Sequence, residues 1–307
     1  MNFDLTPDQV ALREGIRSLL VGRFGSDRVR SGFDRAMFDE LAGAGVFSLR
    51  ADGFGWTDAA IVFEELGRAF VPGPLVWSLL AHGTVGGIVG GVEGATRVLV
   101  EHPDTIEALL VLDADGLACL DASDVTLSAV ERPLDPLTPI ARAATVPEGA
   151  GIGDAGVAAA WRHAGAVLTA AFLVGLATRA GELAVAHAAT REQFGRVIGG
   201  FQAVKHLCAD MAVRTEVARA ATHAASVQLD DPGLGSPEDG RCAASAAKVL
   251  AGEAAVANSR ASMQVHGGMG FTWEVDVHLL LKRAWVLDTH FGSVARHAWS
   301  IPGTAQL

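Results

Sequence analysis

The sequence predicts an α+β protein that is mainly α-helical. Apolar residues recur at helical spacing over about the first 95 residues and again after about residue 150. The segment between them contains short apolar runs bounded by Asp, Gly and Pro, which is typical of strands. This order differs from the βαβ alternation of a parallel doubly wound sheet. We therefore predict an N-terminal helical domain at 1–95, a reduced β domain at 96–150 and a C-terminal helical-bundle domain at 151–307.

The first domain opens with a helix-start signal. Thr6 can cap the first helical turn, and Gln9 can bond back to the backbone of the cap. Further helices are predicted at about Asp34–Ala44, which ends at glycines, and at about Thr57–Phe70, which a proline terminates. The apolar segment 75–92 is predicted to form one or two more helices.

The β domain is predicted from apolar runs that are too short for helices. The runs are Arg97–Glu101, Ala108–Leu112, Gly116–Leu120 and Val125–Val130. A Gly-x-Gly-x-x-Gly pattern follows at 151–156. A dinucleotide-binding fingerprint needs a buried strand before such glycines and a surrounding βαβ unit, and neither pattern is present here. We therefore predict that this segment is a linker.

Long, alanine-rich helical patterns fill the rest of the chain. They span about 157–190, 201–228, 237–263 and 274–287, and Ser236-Pro237 gives the third of them a start signal. Together they predict a C-terminal four-helix bundle.

The composition limits the classes of partner. The formal net charge is -11, with 35 acidic and 24 basic residues, which argues against nucleic acids and anionic membrane surfaces as partners. Cys119, Cys208 and Cys242 form no Cys-x-x-Cys pair, so we predict no metal site and a reducing, cytoplasmic location. No signal peptide is expected from the N-terminal residues. The uncharged segment 75–92 contains five glycines and His82, which favours burial in the protein over a membrane span.

Two segments contain residues suited to a phosphorylated, planar ligand. Arg191 ends a predicted helix and precedes Phe194-Gly195, and arginine can bind phosphate oxygens while phenylalanine can support a flat ring. The alternative is that Arg191 binds the last carbonyls of its helix and Phe194 belongs to the core. Farther along, Gly267, Gly268 and Gly270 follow a helix, where glycines allow close approach of a ligand or simply end the helix.

Taken together, these segments resemble the acyl-CoA dehydrogenase family. Five segments agree with the family in order, and the resemblance covers nearly the whole chain, least so at about 96–150. The segments are Phe63-Glu-Glu-Leu-Gly-Arg68, Arg191-Glu-Gln-Phe194-Gly195, Ala243-Ala-Ser-Ala-Ala-Lys248, Gln264-x-x-Gly267-Gly268-x-Gly270-Phe271-Thr272 and Lys282-Arg283-Ala284.

The resemblance implies a fold, a cofactor and a set of binding residues. In the family two helical domains flank a β domain, and FAD lies between protomers. The Arg-x-x-Phe-Gly and Gln-x-x-Gly-Gly segments contact the adenine and pyrophosphate half of a flavin held by a neighbouring subunit. The positions that match here are Arg191, Phe194, Gln202, Gln264, Gly267 and Gly268.

The chain departs from the family where the chemistry occurs. The Thr-Glu-Pro-x-Ala-Gly-Ser-Asp stretch that meets the isoalloxazine ring and the acyl-CoA is absent between Thr96 and Ala150. The usual base is a glutamate in a Tyr-Glu-Gly-Thr segment, and Phe291 stands at that position here. Some family members place the base on the first C-terminal helix, near Gly165 in this chain. Neither residue can remove a proton α to a thioester carbonyl.

The combination implies a subunit of a heteromeric FAD-dependent acyl-CoA dehydrogenase that is inactive by itself. A larger partner subunit would supply the glutamate in a heterotetramer, an electron-transfer acceptor would reoxidise the flavin, and the acyl-CoA substrate would be steroid-derived, as in heteromeric family members of steroid catabolism. Two alternatives stay open: a structural homologue without flavin, and a homomeric enzyme that uses Asp288 or His290, near Ser293, as a substitute base. Closeness in sequence does not establish a triad geometry.

Overall fold

The computed structural model describes residues 5–301, which contain ten α-helices and nine strands. The helices are α1 Pro7–Arg23, α2 Ser26–Arg30, α3 Arg35–Gly43, α4 Trp56–Arg68, α5 Leu75–Ala81, α6 Ala155–Thr190, α7 Gln202–Asp230, α8 Pro237–His266, α9 Val277–Asp288 and α10 Val294–Ser300. The strands are β1 Val89–Glu93, β2 Thr96–Glu101, β3 Ala108–Leu112, β4 Gly116–Asp121, β5 Ser128–Ala129, β6 Ile140–Thr145, β7 Ala150–Asp154, β8 Glu192–Gln193 and β9 Arg196–Val197. The α+β, mainly α class is confirmed.

The chain forms two compact units that are each discontinuous in sequence. The helical unit comprises Met1–Ser26, Ala60–Phe70 and Ala166–Leu307, and the mixed unit comprises Asp27–Ala59 and Val71–Gly165. The three-domain division at 1–95, 96–150 and 151–307 stays a prediction.

The helix-start signals act as the sequence predicts. The Thr6 hydroxyl accepts a hydrogen bond from the Gln9 backbone N–H, and the Gln9 side chain accepts one from the Thr6 N–H. Ser236 and Asp239 make the same reciprocal pair at the start of α8. Each pair satisfies two N–H groups that the first helical turn leaves without partners, so the helix starts are locally encoded.

In the helical unit, α4 crosses the central helix α6 at two glycines. A Cβ atom on Gly67 would collide with the Phe172 carbonyl, and one on Gly175 would collide with the Glu64 carbonyl. The absence of side chains on both helices at this point lets their backbones touch. The bundle core is close-packed there, with Phe63 and other neighbouring side chains fully buried.

The mixed unit contains two sheets. The first has the strand order β1-β3-β4-β7, with β1 and β3 parallel and the other pairs antiparallel. The second has the order β2-β6-β5 and is antiparallel throughout. The two-stranded β8–β9 sheet lies in the helical unit, between α6 and α7.

Three predictions about the β region are wrong. Residues 89–92 form β1 and not a helix, so the strands of the mixed unit begin at Val89 and end at Asp154. The glycine-rich segment predicted as a linker forms β7, which pairs with β4. The run 125–130 contributes only the two residues of β5. In each case the structure is decided by pairing with another strand. This pairing depends on tertiary structure and cannot be seen in the local sequence.

Within the described residues, α6 is the one helix long and apolar enough to cross a membrane, and 83% of its most apolar window is buried in the protein. Such burial is typical of the central helix of a bundle. In the same part of the chain no cluster of three or more His, Cys, Asp or Glu side chains could hold a metal ion, and the three cysteines are free thiols.

Candidate functional site

The segment after α6 is a tight hairpin that projects Phe194 into solvent. Strands β8 and β9 are joined by Phe194 and Gly195, which have φ values of 53° and 76°. Positive φ at both central residues is the geometry of a type I′ turn. The Phe194 side chain is 91% exposed. The alternative that Phe194 is a core residue is therefore wrong.

Contacts along the hairpin hold it against the start of α7. The Arg191 carbonyl accepts a hydrogen bond from the Ile198 N–H at 2.8 Å. The Arg196 guanidinium lies 4.0 Å from the centre of the Phe201 ring, and Phe194 meets that ring edge-on. The Arg191 side chain remains exposed, beside the exposed aromatic tip.

Gln202 is the first residue of α7 and is exposed. Its amide nitrogen lies 3.1 Å from the His206 imidazole, one helical turn later. The cap residue Phe201 has no side chain able to bond the first N–H groups of the helix. The positive end of this helix therefore has no side-chain cap, which favours an anionic ligand.

The second segment ends α8 with an open backbone surface. Gln264 is exposed on the last turn, and Gly267 and Gly268 follow it, exposed as well. Gly267 has a φ of 61°, which favours glycine. A Cβ atom on either glycine would meet nothing within 4 Å. Side-chain packing within this chain therefore does not require glycine at either position. The backbone angle at Gly267 is the one local feature that favours glycine there.

The two segments meet through a pair of histidines. His187 lies on the last turn of α6, four residues before Arg191, and His266 is the last residue of α8, directly before Gly267. Their rings stack with centroids 4.3 Å apart and an interplanar angle of 23°. Sequence reasoning missed both histidines. Their positions were the available signal: His187 lies one helical turn before Arg191, and His266 lies one residue before Gly267.

At the expected position of the base, Phe291 is 2% exposed and has a φ of 51°. The surrounding loop is held by Lys248, whose fully buried ammonium donates to the carbonyls of Leu287, Asp288, His290 and Gly292 at 2.6 to 3.1 Å. The Phe291 carbonyl accepts from His297 Nε2 at 2.8 Å. The loop is thus fixed in place and presents an apolar ring where the family has a carboxylate.

The neighbouring polar residues have structural contacts. The Ser293 hydroxyl accepts the Arg296 N–H and caps α10, and the Asp288 carboxylate accepts the Val294 N–H at 3.1 Å. The His290 carbonyl is one of the four backbone carbonyls that accept a hydrogen bond from Lys248. These contacts hold the loop and do not form the relay of a nucleophile, a base and an orienting carboxylate.

Comparison with known proteins establishes the family. The family model described as acyl-CoA dehydrogenase, C-terminal domain, matches residues 156–299. The acyl-CoA dehydrogenase IpdE2 of Mycobacterium tuberculosis (strain ATCC 25618 / H37Rv) is 32% identical over 310 residues, which cover 91% of this chain and 92% of IpdE2. The chain therefore belongs to the acyl-CoA dehydrogenase family of oxidoreductases, as the sequence motifs predict.

Solved structures share the fold at low sequence identity. A variant of the Tcur3481-Tcur3483 steroid ACAD has a TM-score of 0.80 at 21% identity, over 97% of this chain and 98% of that one. The ChsE4-ChsE5 complex from Mycobacterium tuberculosis has a TM-score of 0.77 at 21% identity, over 97% and 96%. A glutaryl-CoA dehydrogenase from Mycobacterium smegmatis in complex with FADH2 has a TM-score of 0.82 at 14% identity, over 98% and 95%.

Proposed function

We propose that this chain is a subunit of a heteromeric, FAD-dependent acyl-CoA dehydrogenase and that it contributes FAD-binding residues to an active site on a partner chain. The main observation that supports this proposal is a difference in exposure between two parts of the helical unit. Arg191 and Phe194 in the hairpin, and Gln264, Gly267 and Gly268 at the end of α8, are exposed. The position of the base holds a buried phenylalanine. The chain thus retains what a neighbouring flavin needs and lacks what its own substrate would need.

The chemistry of the exposed residues fits the adenine and pyrophosphate half of FAD. Phe194 offers a flat apolar face, Arg191 a phosphate-binding cation, and Gln202 and Gln264 amide groups for polar ring atoms. The open backbone at Gly267 and Gly268 allows a pyrophosphate to approach closely. When bound, FAD would supply the hydride acceptor for dehydrogenation.

The missing base requires a second chain. Removal of a proton α to a thioester carbonyl needs a positioned base within hydrogen-bond reach, and Phe291 has no proton acceptor on its side chain. A partner glutamate would take this role. The two-chain names of the Tcur3481-Tcur3483 steroid ACAD and of the ChsE4-ChsE5 complex support a heteromer, and the first supports a steroid-derived CoA thioester as substrate. We further propose a cytoplasmic heterotetramer that passes electrons to a separate electron-transfer acceptor.

Turnover with a reducible dye tests this assignment. The chain, a candidate larger acyl-CoA dehydrogenase chain from the same genome and the co-purified complex are each mixed with steroid-derived acyl-CoA thioesters, and dye reduction is followed. We expect turnover from the complex and none from this chain. Replacement of the partner's base glutamate by glutamine should abolish it, whereas His290→Ala in this chain should leave it intact. Turnover by this chain without a partner would contradict the proposal.

A further inference from the structure

The His187–His266 stack is a direct side-chain contact between the two candidate flavin segments. It joins the last turn of α6 to the last residue of α8, immediately before Arg191 on one side and Gly267 on the other. A change in the spacing of the two rings therefore changes the spacing of the two segments.

The two rings are held unequally. His266 is 8% exposed, and its Nδ1 lies 2.8 Å from the Ser262 carbonyl, to which it donates. This bond fixes the ring orientation, and in the neutral imidazole it leaves Nε2 unprotonated. His187 is partly exposed, and its ring nitrogens have no hydrogen-bond partner within residues 5–301. The position of the His187 ring thus depends mainly on the stack.

The charges that act on His187 all oppose its protonation. Burial lowers the pKa of His187 below the ordinary value, and His266 and Arg191 lower it further. The two neighbours that act on it are Arg191, directly after the end of α6, and the His266 imidazole at the end of α8. The loop that follows α8, Gly-Gly-Met-Gly-Phe, has no ionisable side chain. An imidazolium at this place therefore meets other cations and no compensating carboxylate.

We propose that the stacked His187–His266 pair is a positioning element that sets the spacing of the two flavin-binding segments, and that protonation of His187 in mildly acidic solution releases the flavin. This inference rests on the proposed function, because it concerns the same segments. The two histidines act through Arg191, Phe194 and the glycine backbone and need not touch the cofactor.

The direction of the pH effect follows from charge repulsion. The neutral His187 ring stacks without electrostatic cost, whereas a His187 imidazolium is partly desolvated and is repelled by the Arg191 cation. Because the folded arrangement favours the neutral form of His187, it loses stability as the pH falls below about 6.5, where a free imidazole takes up a proton. Flavin binding should weaken in the same pH range.

The test measures FAD retention by the co-purified complex at about pH 7.5 and about pH 5.5, on either side of the imidazole range. The fluorescence of released FAD gives the dissociation constant. We expect the wild-type constant to rise at least about fivefold at the lower pH. His187→Phe keeps a flat ring but does not titrate. Its dissociation constant for FAD should equal that of the wild type at the higher pH and should rise less than about twofold at the lower pH. His187→Ala should bind more weakly at both values, and His82→Phe in the mixed unit should behave like the wild type.

An equal pH response in the wild type and in His187→Phe would overturn the inference. A second measurement does not need the flavin: NMR titration of histidine-labelled full-length chain. If the pair is coupled, His266→Phe raises the pKa of His187, and an unchanged pKa would overturn the coupling. A wild-type complex without FAD at the higher pH would contradict the proposed function, while the NMR result would still decide whether the histidines interact.

Discussion

At the scale of single residues, Phe194 combines two unfavourable features. It is exposed, and its backbone is in the left-handed region, where a side chain costs about 1–2 kcal/mol and where Asn or Gly is usual in a type I′ turn. The chain gains no core packing from this placement. A residue kept in such a state is expected to serve binding and not stability.

Replacing Phe194 by glycine should separate the two roles. Phe194→Gly removes the backbone strain, so the free energy of unfolding should stay the same or rise by up to about 1 kcal/mol. The same change removes the flat ring, so FAD retention by the complex should fall. Chemical denaturation and the ratio of flavin to protein absorbance measure the two effects.

Phe54→Ala provides the control, because Phe54 is a partly exposed phenylalanine in the mixed unit and should leave flavin retention unchanged. A Phe194→Gly protein that loses stability and keeps its flavin would contradict the assigned role.

Sequence reasoning reached some residues and not others. The binding candidates came from a resemblance, since no composition or spacing rule predicts that Phe194 points outward. The role of Lys248 could not be predicted, because it depends on four carbonyls about 40 residues away along the chain. The same holds for the histidine stack, which needs the packed ends of α6 and α8.

At the scale of helices and strands, the crossing of α4 and α6 depends on Gly175. A methyl group there would push the helix backbones apart at the Glu64 carbonyl. Gly175→Ala should therefore lower the free energy of unfolding by about 2 kcal/mol or more, through overpacking.

Gly181 on the same helix is a matched control, because its nearest neighbour, the Met211 methyl group, would lie at 4.0 Å. Gly181→Ala should raise stability by about 0.5–1 kcal/mol, the gain expected from replacing a glycine in a helix interior. Thermal denaturation of both variants measures the difference, and equal effects would contradict the close crossing.

An ionic network joins α4 to α7. The Glu64 carboxylate accepts from Arg219 Nε at 2.8 Å and lies 3.5 Å from His223, while Arg219 also pairs with Glu216. Burial opposes ionisation of Glu64, but the nearby His223 imidazole and the charge and hydrogen bond of Arg219 outweigh it and lower the pKa of Glu64. Because the folded pKa is depressed, this stability is present above the ordinary value of 4.5 and is lost as the pH falls below it.

Glu64→Gln should lower the free energy of unfolding by about 1–3 kcal/mol at neutral pH, because Arg219 loses a charged partner. The free energy of unfolding of this variant should also fall less steeply in acid than that of the wild type, because the titrating carboxylate is absent. Denaturation curves at several pH values measure both effects. Glu253→Gln, at an exposed site on α8, should change stability by less than about 0.5 kcal/mol. An unchanged acid response in Glu64→Gln would contradict the assignment.

The helices were easier to predict than the strands for a physical reason. Helix starts and apolar periodicity are local, and the long helices were predicted to within a few residues, whereas the short α2 and α10 were not predicted. Glycine-rich strands lack a local signal. Gly91 in β1 is a glycine because a Cβ atom would collide with the Trp77 ring, and β7 exists through its pairing with β4.

At the scale of the whole molecule, the proposed function assigns this chain one part of an active site. The family fold was predictable because five motifs occur in order along the chain. That Phe291 stands at the expected position of the base is a prediction from the sequence, because that position is defined by its distance from Gln264. The tight packing of the surrounding loop was not predictable, since it depends on Lys248 and His297.

The central claim is that this chain completes a flavin site on another chain. The most direct test is to co-express it with a candidate larger acyl-CoA dehydrogenase chain from the same genome, and to measure the mass and visible absorbance of the purified product. We predict a yellow complex that contains both chains, with one FAD per pair, and a colourless product when this chain is expressed without the partner. A yellow assembly made of this chain without the partner, or a complex of both chains without flavin, would contradict the claim.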